Sequence, residues 1–265
     1  MPGPAIADVA TWAAITTPPA DGDRAAIAAG AGPLRTNVIQ LLADRDRFLL
    51  NALNGALSHE PEIFSTDGIN VRVKPFSVIL GEKVLTLAAE TGYAFPGPTI
   101  GWWYVYCYDN AGAIGVQLSV TAPEASLTFK TGTTTHRYLG AVRSVDGATI
   151  TPFRKCGRTT IYLRNWSGTL PVLTAGVAAG YVTIPLLHTA VDLLPPHAQL
   201  VELEVFMAAA GTGDLKQAAA NPQSFAITST SVERHTLHVA AGGGKSVDYQ
   251  VAAGSMTIRV YGWHE

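Results

Sequence analysis

Gly101-Trp102-Trp103-Tyr104-Val105-Tyr106-Cys107-Tyr108-Asp109-Asn110-Ala111-Gly112-Ala113-Ile114-Gly115-Val116-Gln117-Leu118-Ser119-Val120-Thr121 reads as two strands joined by a tight polar turn. Successive side chains of a strand point to opposite faces, so Trp102, Tyr104, Tyr106 and Tyr108 form one row and Trp103, Val105 and Cys107 the other. Both rows are apolar, and each needs its own cover. One can face the core of a β-sandwich. The ring-bearing row on the other side calls for a second layer, a neighbouring subunit or a ligand, because large exposed apolar patches are rare on soluble monomers.

Composition points to subunits. Only 14% of residues are charged, against roughly 25% in ordinary domains, while the mean hydropathy is +0.20. Surface that would normally carry charge is missing, as expected where monomer surface becomes contact surface. A net charge of -2 gives no electrostatic handle for nucleic acid or an anionic membrane. The length of 265 residues allows one or two domains with proper cores. Cys107 and Cys156 read as separate thiols of a reducing compartment, with a single bridge as the alternative. The start lacks a basic segment followed by an apolar one, so no signal peptide is visible and synthesis in a cytoplasm is expected. The uncharged stretch between Arg164 and Asp192 imitates a membrane span, but Gly168, Pro171, Gly176, Gly180, Pro185 and His188 interrupt it. It reads as a linker followed by short strands, with no membrane insertion.

Residues 1–32 are rich in Ala, Gly and Pro and read as an extended attachment arm, with Trp12 as the ring that docks it on another subunit. Over 33–60 the pattern turns helical: Leu34, Val38, Leu41, Leu42, Phe48, Leu49, Leu53 and Leu57 recur at threes and fours. Ile39, Leu50 and Ala52 widen the apolar stripe, so this helix must pack on more than one neighbour. The Asp44-Arg45-Asp46-Arg47 run reads as a solvated face. After Pro61 only short β-rich runs follow, divided by Gly, Asp and Pro signals. They predict one β-sandwich-like domain over 61–166 and a second over 167–265, with a boundary at Trp166-Ser167-Gly168-Thr169-Leu170-Pro171. The expected class is mainly β: an N-terminal extended arm and one α-helix, then two β-sandwich-like domains.

A family pattern is carried by Trp103-Tyr104-Val105-Tyr106, Tyr108-Asp109 and Gly112, then Leu118-Ser119, Thr121-Ala122-Pro123, Lys130-Thr131-Gly132, Arg137-Tyr138-Leu139-Gly140-Ala141 and Pro152-Phe153. These resemble a β-domain common in tailed-bacteriophage virion proteins: tail fibres, neck or collar fibres and head appendages. Leu42-Ala43-Asp44-Arg45 with Phe48-Leu49 looks like the helix that follows an attachment arm in such fibres. Val191-Asp192-Leu193, Pro195-Pro196-His197-Ala198 and Arg259-Val260-Tyr261-Gly262-Trp263 look like their distal β-domain. The resemblance implies a structural protein of the virion, usually trimeric, fixed through its N-terminal part and assembled in the host cytoplasm. The chain lacks the long shaft and large tip of many receptor-binding fibres, which favours a short appendage or decoration.

Motifs for chemistry fall short. Gly242-Gly243-Gly244-Lys245-Ser246 imitates a phosphate-binding loop, but Val239 stands where its first glycine belongs, and an alternating strand follows instead of a helix. His235 and His238 face opposite sides of a strand and cannot chelate one metal. Glu202 and Glu204 share one strand face and read as solvated carboxylates rather than a glycosidase pair. Arg154, Lys155, Arg158 and Arg164 form a basic cluster suited to acidic partners on a neighbour rather than to nucleic acid. No nucleophile elbow is present.

The sequence thus predicts a non-enzymatic protein with no catalytic residues, metal or cofactor. Its expected partners are two further copies in a homotrimer and other virion proteins of the tail, neck or capsid. Trp12, Leu34 and Val38 are the attachment residues, and Leu41, Leu42, Phe48, Leu49 and Leu53 the oligomer interface. The alternative is a host-surface glycan-binding module, in which Trp102, Tyr104, Tyr106 and Tyr108 form a sugar-stacking platform instead of a buried layer.

Overall fold

The computed structural model describes residues 45, 49, 53–163, 171–188, 191–208, 210–217, 224–228, 230–239 and 245–265. The expected arm, with Trp12, lies outside them, as do Leu34, Val38, Leu41, Leu42 and Phe48 of the expected helix. Two compact units divide the chain, Met1–Asn54 with Gly81–Lys83, and Gly55–Leu80 with Val84–Glu265. In the first, Arg45 and Leu49 are helical, and the Leu53 amide donates to the Leu49 carbonyl at 2.9 Å.

The protein is mainly β. Its first strands are β1 (Ile63–Ser65), β2 (Asn70–Val73), β3 (Phe76–Leu80), β4 (Lys83–Leu87), β5 (Thr91–Ala94), β6 (Gly101–Asn110), β7 (Ala113–Ser119), β8 (His136–Ser144), β9 (Phe153–Cys156) and β10 (Thr159–Tyr162). There follow β11 (Pro171–Gly176), β12 (Val182–Pro185), β13 (Leu187–His188), β14 (Val191–Asp192), β15 (Leu200–Met207), β16 (Thr212–Gln217), β17 (Ser224–Ile227), β18 (Glu233–His238), β19 (Ser246–Ala253) and β20 (Met256–His264). A nine-stranded sheet runs β18-β15-β20-β10-β9-β1-β2-β5, with β11 also on β20. Beside it stand a four-stranded sheet, β12-β19-β16-β17, a three-stranded sheet, β7-β6-β8, and two strand pairs, β13-β14 and β3-β4.

The boundary expected at 166/167 does not divide the fold. β10 pairs β20 with Thr160 opposite Trp263, so strands from both sides of that point share one sheet. The physical reason is the reach of β20: one edge pairs β15 along its length, and the other is shared by β10 and β11. The main apolar core spans that point. Ile63, Val105, Phe153, Val205, Ile258 and Trp263, drawn from both halves of the sequence, belong to the same buried cluster.

β6 and β7 form the expected hairpin, closed by Ala111 and Gly112 at φ 53° and 93°, the left-handed pair that a two-residue turn requires. The Asp109 carboxylate accepts the Gly112 amide at 2.6 Å. Trp103, Val105 and Cys107 enter the main core. Tyr104 and Tyr106 join Tyr138 and Ala141 in a second buried cluster, with Trp102 and Leu127 against it. The same chain therefore covers both faces of β6.

A bulge makes that possible. Val105 pairs with Gly140 but Tyr106 pairs with Tyr138, so Leu139 is the extra residue of β8. An inserted residue reverses the alternation beyond it. Tyr138 is thereby aimed at the tyrosine row while Leu139 enters the main core.

Several strands carried little sequence signal. β16, Thr-Gly-Asp-Leu-Lys-Gln, is polar and lies inside the four-stranded sheet between β17 and β19. Gly213 lets it approach, since a Cβ there would stand 2.8 Å from the Gln250 carbonyl oxygen and 2.6 Å from Met256 Cε. β11 falls in the stretch expected to be a linker, and β1 and β5 are too short for a period.

Candidate functional site

Three side chains, those of Tyr138, His197 and Lys155, converge on one buried carboxylate. Glu265 follows β20, and its side chain is 4% exposed. The Tyr138 hydroxyl donates to its Oε1 at 2.6 Å, and His197 Nε2 stands 3.1 Å from the same oxygen. Lys155 Nζ, on a side chain 3% exposed, lies 3.4 Å from Oε2 and donates to the Gly157 carbonyl at 2.6 Å. Tyr138 Oη is also 3.0 Å from His197 Nε2. The Tyr104 ring packs beside the imidazole, their centroids 5.9 Å apart.

Local sequence explains each position. β9 is Phe-Arg-Lys-Cys with alternating burial, so Lys155 points inward with Phe153 while Arg154 and Cys156 point out. Its stem fits because residue 140 is glycine: a Cβ there would stand 2.7 Å from Lys155 Cδ. The β9–β10 turn has Gly157 at φ 58°, where a side chain would be strained. His197 sits in the Pro195–Ala198 turn, which the Ala198 amide closes on the Pro195 carbonyl at 3.0 Å.

Burial and charge set the proton affinities. Burial alone would raise Glu265, but the Lys155 ammonium, His197 and the Tyr138 hydroxyl outweigh it and hold the carboxyl below its ordinary range. Burial, then the Glu265 charge beside it, raises Tyr138 well above the usual phenol value. The same two causes push Tyr104 up to about 12. The cluster at neutral pH is therefore an ionised carboxylate held by a neutral phenol and a cation. A buried charge is tolerable only when so compensated.

The cluster floors a cavity of about 270 Å³. Glu265, Lys155 and Tyr138 form its base, the 125–128 segment one wall, and Glu60, Arg158 and Gln199 further lining. Arg137 fixes that wall: Nη1 donates to the carbonyls of Leu127, Thr128 and Tyr138, each at 2.9 Å, and Nε donates to the Gly55 carbonyl at 2.6 Å.

The aromatic row is distributed differently from a flat platform. Tyr104 and Tyr106 are 4% and 0% exposed. Trp102 is half-buried, donating its indole N–H to the Asp192 carbonyl at 3.1 Å and meeting Trp263 edge-on at 5.3 Å. Tyr108, also half-buried, stacks on His136 with centroids 5.1 Å apart. Leu49 and Leu53, of the expected oligomer interface, are 46% and 49% exposed.

Two members of the basic cluster meet acids within the chain, and Arg164 lies outside the described residues. Arg154 Nε donates to Glu62 Oε1 at 2.5 Å, and Lys155 meets Glu265. Glu204 is buried under Arg234, at 3.3 Å, and Glu202 Oε1 is 2.8 Å from His264 Nε2, so the strand face expected to be wet is covered. Lys245 is buried, donating to the Ala198 carbonyl at 2.9 Å, and β19 starts immediately after it as a strand. Cys107 and Cys156 are free thiols, the first buried and the second exposed. Among the described residues no group of His, Cys, Asp and Glu could hold a metal ion, and no helix is long and apolar enough to cross a membrane.

The Glu265 site escaped the sequence reading because its members are scattered over 127 positions. One local signal existed, the inward parity of Lys155 with Phe153. No family model matches this chain, and no curated protein aligns with it significantly.

Proposed function

We propose that this chain is a structural component of a bacteriophage virion, a trimeric short fibre or decoration protein fixed to the tail, neck or head through its N-terminal arm and helix. The observation that carries this reading is the meeting of its two virion-like motif sets, which lie far apart in sequence. Tyr138 Oη of the first set stands 3.0 Å from His197 Nε2 of the second, with the Tyr104 ring beside that imidazole. Residues next to the first set add to the contact: Trp102 packs on Trp263, Arg143 Nε and Trp102 Nε1 both donate to the Asp192 carbonyl, each at 3.1 Å, and Tyr162 donates to the Leu193 carbonyl at 2.8 Å. The motif residues serve packing and strand register, as suits a protein whose task is to hold a shape.

Solution mass is the direct test. The purified chain should sediment as a trimer, and a chain lacking residues 1–32 should remain a folded oligomer while no longer joining particles. A single-copy species at high concentration would sink the reading.

A further inference from the structure

We propose that the cavity above Glu265 binds a small hydroxylated carboxylate, recognised by Arg158, Gln199 and the buried floor. This goes beyond the virion reading and does not depend on it.

Strand register builds the site. The Glu265 amide donates to the Arg158 carbonyl at 3.0 Å, and the Gln199 amide donates to the His264 carbonyl at 2.9 Å. Next to these, Thr159 and Leu200 stand opposite His264 on β10 and β15. Arg158, Glu265 and Gln199 therefore continue three adjacent strands as one cross-strand row, and residues directly opposite share a face. All three line the cavity. The row is a carboxylate flanked by a guanidinium and an amide.

Hydrogen-bonding capacity in that row is unspent. Among the described residues, nothing engages the Arg158 guanidinium or the side-chain amide of Gln199. Lys155 Nζ has three protons and two partners, Gly157 and Glu265. Glu60, also in the lining, is met among the described residues by Arg137 Nη2 alone, at 3.8 Å. The lining thus offers both donors and carboxylate acceptors.

Charge chooses the ligand class. Arg137, Lys155 and Arg158 line the cavity against Glu60 and Glu265, leaving one positive charge in excess, which suits a monoanion. The planar fork of Arg158 matches a carboxylate. The acceptors Glu60 and Glu265 require the rest of the ligand to donate, and hydroxyls do so without setting a second cation beside Lys155. About 270 Å³ admits a chain or ring of sugar-acid size, and the wall pinned by Arg137 is already in place, so little ordering opposes binding.

Calorimetric titration of the full-length protein tests this with gluconate, glucose, hexanoate and inorganic phosphate. Gluconate should bind saturably at one per chain. Glucose lacks the carboxylate and hexanoate the hydroxyls, so each should bind at least about tenfold more weakly. Arg158→Leu, a change at an exposed residue, should weaken gluconate about tenfold, Gln199→Leu should weaken it less, and Cys156→Ser should leave it unchanged. Gluconate binding no better than hexanoate or glucose, phosphate binding as tightly as gluconate, or an Arg158→Leu protein that binds like wild type would each overturn the assignment.

Discussion

Tyr138 donates its hydroxyl hydrogen to Glu265 Oε1 at 2.6 Å, and both side chains are buried. This bond joins the three-stranded sheet to the end of β20, where Lys155 and His197 also arrive. It exists because the Leu139 bulge turns Tyr138 towards the tyrosine row instead of the main core.

Removing the carboxylate charge should be costly. Glu265→Gln leaves the Lys155 ammonium buried beside a neutral amide, and breaking a buried pair from one side costs about 3–5 kcal/mol. Chemical denaturation should report that loss. Lys155→Met combined with Glu265→Gln should recover much of it, because no uncompensated charge remains.

Acid should weaken the fold through the same group. The folded-state pKa of Glu265 is lowered from an ordinary 4.5. Its stabilising contribution is thus present above about pH 4.5 and lost as pH falls through the lower folded value. Unfolding midpoints across that range should fall for wild type and flatten for Glu265→Gln. Alkali acts in the opposite sense on the phenols. Tyr104 is raised from 10.0 to about 12, so its contribution is complete below pH 10 and fades as pH rises towards 12. Tyr104→Phe should reduce that alkaline slope.

Gly140→Ala should destabilise by about 1–3 kcal/mol, the usual range for overpacking. The new Cβ would stand 2.7 Å from Lys155 Cδ and 3.3 Å from Ile63 Cδ1. A double-mutant cycle with Lys155→Ala should show coupling, since shortening that stem removes the closest clash.

Arg137→Met should loosen the 125–128 wall. Four backbone carbonyls lose a charged donor, and hydrogen bonds to charged groups are worth about 1.5–3 kcal/mol each. Hydrogen exchange should accelerate at the Tyr138 amide, which donates to the Thr128 carbonyl at 2.9 Å.

Leu49→Glu with Leu53→Glu should lower the oligomeric mass, since both leucines are half-exposed and belong to the expected oligomer stripe. Circular dichroism should still report β structure. A trimer unaffected by both charges would place the interface elsewhere.

Much of the β architecture was legible in local pattern. The hairpin of β6 and β7, the clean strand β15 and the terminal β20 all follow from alternation and turn residues. Alternation also showed that both faces of β6 need cover. These are properties of adjacent residues, and the chain's own period of two determines them. What covers each face was decided only in three dimensions. Strand pairing, the Leu139 bulge and the reach of β20 across β10, β11 and β15 fused two expected domains into one core and gathered Tyr138, Lys155, His197 and Glu265. Register is a relation between distant segments, and a one-residue slip exchanges every face, so no local pattern could fix which buried lysine would meet which carboxylate.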